Sequence, residues 1–298
     1  MRRIVLRVLV ALIVVVVAFA GFVIVRSELA LRSVWQIDEA ALAIPTDAEA
    51  IARGEHIAIT RGCSGCHEKD FGGEVVFEMP PIGRMAAPNL TSGKGGVTAG
   101  FTPRDWERAI RHGVKPDGHA LLFMPARDFA GLSDADTADL IAYALQRPAV
   151  DRDDAPSFVG PVGRTLFALG ILPMLEARLI DHHAAHLARI ETTASADYGR
   201  YLAQSCTGCH GEHFSGGPIP GTPPDFPKPA NITPDAATGI GAWTKDDFYR
   251  VFREGKKPDG AALDPFMPWQ SLGKFTDIEL DALWAYLKTI PARPHGQR

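Results

Sequence analysis

Cysteine is scarce in this 298-residue chain, and what there is falls in two short runs, Cys63-Ser64-Gly65-Cys66-His67 and Cys206-Thr207-Gly208-Cys209-His210. None is left over for a disulfide. A basic excess is also lacking. Four of the 31 Lys and Arg residues, Arg2, Arg3, Arg7 and Arg26, flank one N-terminal apolar segment, which leaves 27 basic against 35 acidic residues elsewhere. A general nucleic-acid-binding surface is thereby excluded. Sustained period-two alternation is missing too, so strands are not expected to organise the chain. With 46% hydrophobic and 22% charged residues, the composition is that of globular protein, and the length suits about two domains.

What is present begins with Val8 to Val25, 18 consecutive apolar residues. As a helix they would extend roughly 27 Å, close to the hydrocarbon thickness of a bilayer. Arg2, Arg3 and Arg7 precede the run and Arg26 follows it, so the positive-inside bias leaves the N-terminus in the cytoplasm and the rest outside. Ala18-Phe19-Ala20 has the form of a signal-peptide cleavage site, but Phe22-Val23-Ile24-Val25 continues the apolar run beyond it, and an uncleaved anchor is the reading taken.

The rest of the chain is a duplication. The two Cys-x-x-Cys-His runs lie 143 residues apart, Pro88-Asn89-Leu90-Thr91 answers Ala230-Asn231-Ile232-Thr233, and Lys115-Pro116-Asp117-Gly118 answers Lys257-Pro258-Asp259-Gly260. Arg53-Gly54-Glu55-His56 and Tyr198-Gly199-Arg200-Tyr201 open helical stretches ahead of each run, the first copy carrying two extra residues before its Cys. Thr102 and Thr244 stand as N-caps before helices with buried faces Trp106, Ala109, Ile110 and Phe248, Val251, Phe252. Ser133-x-x-Asp136 and Thr276-x-x-Glu279 read as capping boxes for a last helix in each copy. Three helices per copy, joined by long Gly/Pro-rich loops, need something else to supply the core.

A covalently attached haem is that something. Two thiols two residues apart can each add to a haem vinyl group while the adjoining imidazole reaches the iron, so Cys63, Cys66 and His67, and Cys206, Cys209 and His210, are expected to hold two haems c. The rival, a zinc or redox Cys pair, calls for further ligands at metal spacing or a thioredoxin-like context, and neither occurs. The sixth iron ligand is expected to be Met124 in the first copy and Met267 in the second: each lies 57 residues after its motif His and precedes a Pro. His119 is the alternative in the first copy, without a counterpart in the second; the plainer reading of both methionines is core packing. His/Met ligation favours the ferrous state and saturates the iron.

With these residues in place, both copies resemble class I c-type cytochromes, and the tandem resembles membrane-anchored dihaem cytochromes that accept electrons from periplasmic dehydrogenases. The resemblance implies an all-α fold of two tandem cytochrome c domains, about three core helices each, after an N-terminal transmembrane helix. Residues 1–27 are expected as anchor, 28–45 as juxtamembrane segment, 46–150 as domain 1, 151–194 as linker and 195–293 as domain 2. It implies that Gly54 and Gly199 let the first helix cross the last near Tyr143 and Tyr286. It also places Asn89, Thr91, Asn231 and Thr233 around the haem edge, with direct propionate hydrogen bonds as a weaker expectation. One departure is that related subunits of alcohol and sugar dehydrogenases commonly carry three haem motifs, against two here.

The functional expectation is electron transfer, not catalysis. Electrons would come from a periplasmic dehydrogenase or a quinol-linked donor and leave to a cytochrome or terminal oxidase, with the haem domains on the periplasmic face of the inner membrane. A dihaem enzyme, such as a peroxidase or sulfur-compound dehydrogenase, or a structural haem subunit are the alternatives. In the linker, Leu166 to Leu175 is too short to span a bilayer and is expected to pack between the domains or against one of them. His182 and His186, one helical turn apart, are expected to form a solvated face for want of a third ligand; His56 and His213 are expected not to be ligands.

Overall fold

The structure is a computed structural model that describes residues 1–153 and 156–298; residues 154 and 155 of the expected linker lie outside the described residues. It opens with α1 (Arg2–Leu31), a 30-residue helix that is long and apolar enough to cross a membrane and whose side chains are almost all exposed. Such a helix has no core of its own to enter.

The first repeat follows as α2 (Ala48–Thr60), α3 (Cys63–Cys66), β1 (Glu74–Met79), β2 (Gly83–Ala87), α4 (Pro103–Glu107) running into a π-helical turn Arg108–His112, and α5 (Asp134–Leu145). The linker holds β3 (Phe158–Val159) and α6 (Pro161–Ala168). The second repeat is α7 (Ala196–Ala203), α8 (Thr207–His210), α9 (Lys245–Glu254), α10 (Trp269–Leu272) and α11 (Asp277–Leu287).

Local chemistry explains where these helices start. Asp47, Thr102, Ser133, Ser195, Thr244 and Thr276 each accept a backbone N–H from the first turn of the helix they precede. Thr102/Asp105, Thr244/Asp247 and Thr276/Glu279 are complete capping boxes. Ser133/Asp136 is only half of one, because the Asp136 carboxylate accepts the Tyr201 hydroxyl of the other repeat instead.

Within each repeat the first helix crosses the last at its glycine. A Cβ on Gly54 would lie 2.0 Å from the Asp139 carbonyl oxygen, and one on Gly199 would lie 1.9 Å from that of Ala282, with Tyr143 and Tyr286 alongside. Only glycine permits that approach.

A small three-stranded sheet is added to the expected, predominantly helical tandem fold. β1 and β2 pair antiparallel with a bulge between Val75 and Phe77, and β3 adds to β2 through Gly83–Val159 and Arg84–Phe158. A period-two pattern marks a ribbon with one buried face, and β1 has none: its residues are exposed or half-buried throughout. The second repeat has no hairpin here, because residues 217–229 contain six prolines, which cannot donate to a ladder.

The linker packs against the first domain, one of the two placements expected for Leu166 to Leu175, and it also reaches α1. α6 packs on the end of α1, where Arg164 reaches Glu28 at 2.6 Å and Ser27 at 3.0 Å, and Phe167 leans on a small core of Ala30, Ile37, Val114, Ala120, Leu175 and Ala177. The Met174 carbonyl then accepts the Phe123 N–H at 3.0 Å.

The two repeats share one continuous apolar core, from Ala58 and Phe71 to Phe214 and Leu287. Polar groups close the seam. Arg61, 8% exposed, donates to the Leu202 carbonyl at 2.7 Å and to Ser205 Oγ at 2.9 Å, and the Tyr201 hydroxyl accepts the Ser133 N–H at 3.0 Å.

His56 Nε2 meets both Glu279 oxygens at 2.9 Å. Burial alone would push the Glu279 carboxyl up; His56 and the Thr276 N–H outweigh it and hold the carboxyl below its ordinary value. The contribution is therefore present above the unfolded carboxylate range and is lost as pH falls through the lowered folded value. Calorimetry between about pH 6 and 3 should show a steeper fall in the melting temperature for the wild-type chain than for Glu279→Gln. Parallel curves would remove Glu279 as the acid-sensitive group.

Candidate functional site

The two Cys-x-x-Cys-His segments fold alike because each is a single helical turn followed by a tight reversal. Gly73 N–H returns to the His67 carbonyl at 3.0 Å, and Gly216 N–H to that of His210 at 2.8 Å. Phe71 and Phe214 both take positive φ, 62° and 59°, and their rings stand edge-on to Tyr143 and Tyr286 at 5.5 and 5.9 Å. The reversal brings Phe71 and Phe214 into the core, with the Phe71 ring stacked 6.5 Å from that of His67.

Each motif histidine, half-buried in the case of His67 and buried in that of His210, is oriented by one carbonyl: His67 Nδ1 donates to Pro88 at 3.0 Å and His210 Nδ1 to Ala230 at 2.7 Å. With the proton on Nδ1, Nε2 holds the lone pair. Burial lowers both histidines below the usual imidazole range, although those carbonyls pull the other way. A neutral imidazole with a fixed tautomer is the form that ligates iron.

The cysteines tell the same story from the other side. Burial pushes the Cys63 and Cys206 thiols up to about 12. A reactive or zinc-binding cysteine needs a stabilised thiolate, and these lack one. The residues therefore suit thioether links to a haem and suit the zinc or redox reading poorly.

Met124 and Met267 are half-buried, and both pack against the cluster that holds Cys63 and Cys206. Their surroundings match closely. Pro125 and Pro268 have φ/ψ of −78°/56° and −78°/55°, and the methionine carbonyls accept the N–H of Ala126 at 2.8 Å and of Trp269 at 2.7 Å. Ahead of them, the Lys-Pro-Asp-Gly turns close from Gly118 to Lys115 and from Gly260 to Lys257, both at 2.9 Å. His119 sits on the first of those turns, its backbone N–H bonded to Asp117.

Asn89, Thr91, Asn231 and Thr233 are buried and committed to the protein itself. Asn89 donates to the Val150 carbonyl and Asn231 to that of Arg293, both at 2.7 Å, while each threonine hydroxyl donates to its neighbouring asparagine. They pin the chain that follows the last helix to the loop after the motif. The direct propionate role is thus replaced by a structural one, since each side chain already has its hydrogen-bond partners.

Two residues at the seam were not expected. Arg61 lies two residues before Cys63 and touches Ser205, the neighbour of Cys206, so it stands between the two motifs. Asp128, from the turn after Met124, reaches the second motif at Gly208. Burial and then the Glu176 charge push its carboxyl up to about 7. The two-residue excess ahead of the first motif is the trace that Arg61 leaves in the sequence; Asp128 leaves none.

The cytochrome c family model matches residues 51–147 and again residues 196–291. The chain belongs to the cytochrome c family. Among relatives of this cytochrome, the gluconate 2-dehydrogenase cytochrome c subunit of Pantoea cypripedii is 40% identical over 283 residues, covering 83% of this chain and 61% of the relative. The fructose dehydrogenase cytochrome subunit of Gluconobacter japonicus is 28% identical over 279 residues, covering 84% and 55%. A diheme cytochrome c-type protein of Cereibacter sphaeroides is 26% identical over 267 residues, covering 81% and 86%. This cytochrome thus spans less than two thirds of the length of the dehydrogenase subunits it resembles.

Proposed function

We propose that this cytochrome is a membrane-tethered dihaem electron carrier, reduced by a periplasmic dehydrogenase or a quinol-linked donor and oxidised by a downstream cytochrome or terminal oxidase. In this reading α1 spans the inner membrane, and residues 46–150 and 195–293 are haem domains on its periplasmic side. Cys63, Cys66 and Cys206, Cys209 attach the haems, His67 and His210 are the proximal ligands, and Met124 and Met267 are the distal ones. When bound, each haem iron would supply a one-electron couple.

The observation that carries the proposal is the doubled site with its motifs on one seam. Two sets of donors with matching backbone geometry, one neutral imidazole in each, hold the same task twice. The chain's own contribution is to fix the imidazole tautomers through Pro88 and Ala230, to shield both motifs with one core, and to set the local charge through Arg61. Relatives named as cytochrome subunits of dehydrogenases, and a diheme cytochrome, support the donor class and the haem count.

Detergent-purified full-length chain, tested by pyridine haemochrome and by near-infrared absorbance, should contain two haems and show a methionine–iron charge-transfer band of two-haem intensity. It should copurify with its dehydrogenase and be reduced by it on addition of substrate. A high-spin haem with rapid peroxide turnover would replace the carrier reading with an enzymatic one.

A further inference from the structure

Within the segment Asp181-His182-His183-Ala184-Ala185-His186, His182 and His186 do not form a solvated face. His182 and His186 fold back onto His112, the last residue of the π-helical turn after α4, with ring centroids 5.1 and 5.9 Å away. Glu39, from the segment after α1, closes the third side. One ligand atom from each of Glu39, His112 and His186 lies within 4.8 Å of the others.

The proton positions follow from the hydrogen bonds. His182 Nε2 lies 2.9 Å from the Ala177 carbonyl, which can only accept, so Nε2 carries the proton and Nδ1 of a neutral His182 is a lone pair. His112 Nδ1 lies 2.9 Å from that lone pair and must donate to it. A neutral His112 therefore presents an unprotonated Nε2 on its other side. That atom faces two carboxylates, Glu107 at 3.4 Å and Glu39 at 3.7 Å.

A lone pair aimed at carboxylates in a buried place is unfavourable unless a cation lies among them. The His112 side chain is 1% exposed and that of Glu107 2%. His112 Nε2, both Glu107 oxygens and His186 Nε2 are buried without a hydrogen-bond partner among the described residues. Unpaired buried polar atoms cost about 1–3 kcal/mol each, and such a concentration calls for a ligand. The charge has the same sense: Glu107 and Asp134 share one guanidinium, Arg111, which is 2.7 Å from Asp134 and 3.7 Å from Glu107, and Glu39 adds a further carboxylate beside His112.

The duplicated fold supplies an internal comparison. At the matching place in the second repeat, α9 ends without a π-helical turn, and the residues answering Arg111 and His112 are Arg253 and Glu254, both exposed. The wider turn and the buried polar cluster belong to the first repeat alone. Such turns are frequent at functional sites.

We propose that Glu39, His112 and His186 form a site for a divalent transition-metal ion of the Zn2+ class. Two imidazoles and a carboxylate suit that ion better than Ca2+ or Mg2+, which prefer oxygen throughout. Glu107 or water would complete four-coordination. Glu39 and His186 are partly exposed and able to close the small remaining distance to bonds of about 2.0–2.2 Å. His186 Nε2 is buried with no hydrogen-bond partner among the described residues, which leaves it free to ligate. The ion would tie the segment after α1, the first haem domain and the linker at one point.

The test uses detergent-solubilised, haem-loaded full-length chain purified without a histidine tag, stripped with EDTA and equilibrated with Zn2+. Covalent haem iron is the internal standard. Mass spectrometric metal analysis should find one zinc per chain, and competition with a chromophoric chelator should show at least about a 100-fold affinity loss for His186→Gln and at least about 10-fold for Glu39→Gln, with His183→Gln unchanged. Unaltered haem spectra would verify that the variants are folded. Zinc should also raise the melting temperature of the wild-type chain and leave that of His186→Gln in place. Affinity unchanged in both variants would overturn the site. So would no zinc bound at about 0.1 mM, which would assign a second proton to His112.

Discussion

Replacing Gly199 with alanine is expected to destabilise the second domain by about 3 kcal/mol or more, at or above the top of the usual range for overpacking. The new methyl would have to occupy a point 1.9 Å from the Ala282 carbonyl oxygen and 2.7 Å from Tyr286 Cβ. Neither neighbour is the free end of a flexible chain. α7 and α11 must separate along their crossing, and that opens the core against which Phe214 and Tyr286 lie edge to face. Gly54→Ala should act likewise on the first domain, through the Asp139 carbonyl oxygen at 2.0 Å. Denaturant unfolding followed by haem absorbance measures both. A loss below about 1 kcal/mol would show that the helices slide apart at little cost.

Replacing Met267 with histidine should lower the potential of the second-domain haem by on the order of 0.1–0.3 V, a fraction of the range that axial ligation spans. The physical reason is the ligand's electronic character: a neutral thioether favours the ferrous iron, and an imidazole favours it less. Met124→His should do the same to the first-domain haem. The backbone around the two methionines is the same to within a degree at Pro125 and Pro268, so the two shifts should be similar. Redox titration of each single variant would show one couple moving and the other nearly fixed, with the methionine–iron band reduced by half. An unmoved couple with the band intact would return the methionines to core packing and leave the sixth ligand to be found elsewhere.

Much of this protein was legible in its residues because the decisive chemistry is local. Cys63 to His67 and Cys206 to His210 each gather two cysteines and a histidine within five residues, and the helix starts at Thr102, Thr244 and Thr276 are set by a side chain and a backbone three residues on. Repetition extended that reach by pairing Met124 with Met267. The hairpin β1–β2 escaped notice because its pattern has no buried face to display, and the tandem prolines of residues 217–229 hid the fact that only one repeat would have it.

The sequence by itself determined the two Cys-x-x-Cys-His motifs, the duplication and the apolar helix α1, since each depends on neighbours along the chain. The tertiary structure alone decided which distant residues meet. It placed Arg61 against Ser205, 144 residues away, and His112 against His182, 70 residues away. It also set α6 on the end of α1, with Leu175 and Ala177 against Val114 and Ala120 of the first domain. Such pairings arise from the packing of whole helices around one shared core, where burial removes water and leaves every polar group to find its partner in the protein. No short stretch of sequence records that outcome.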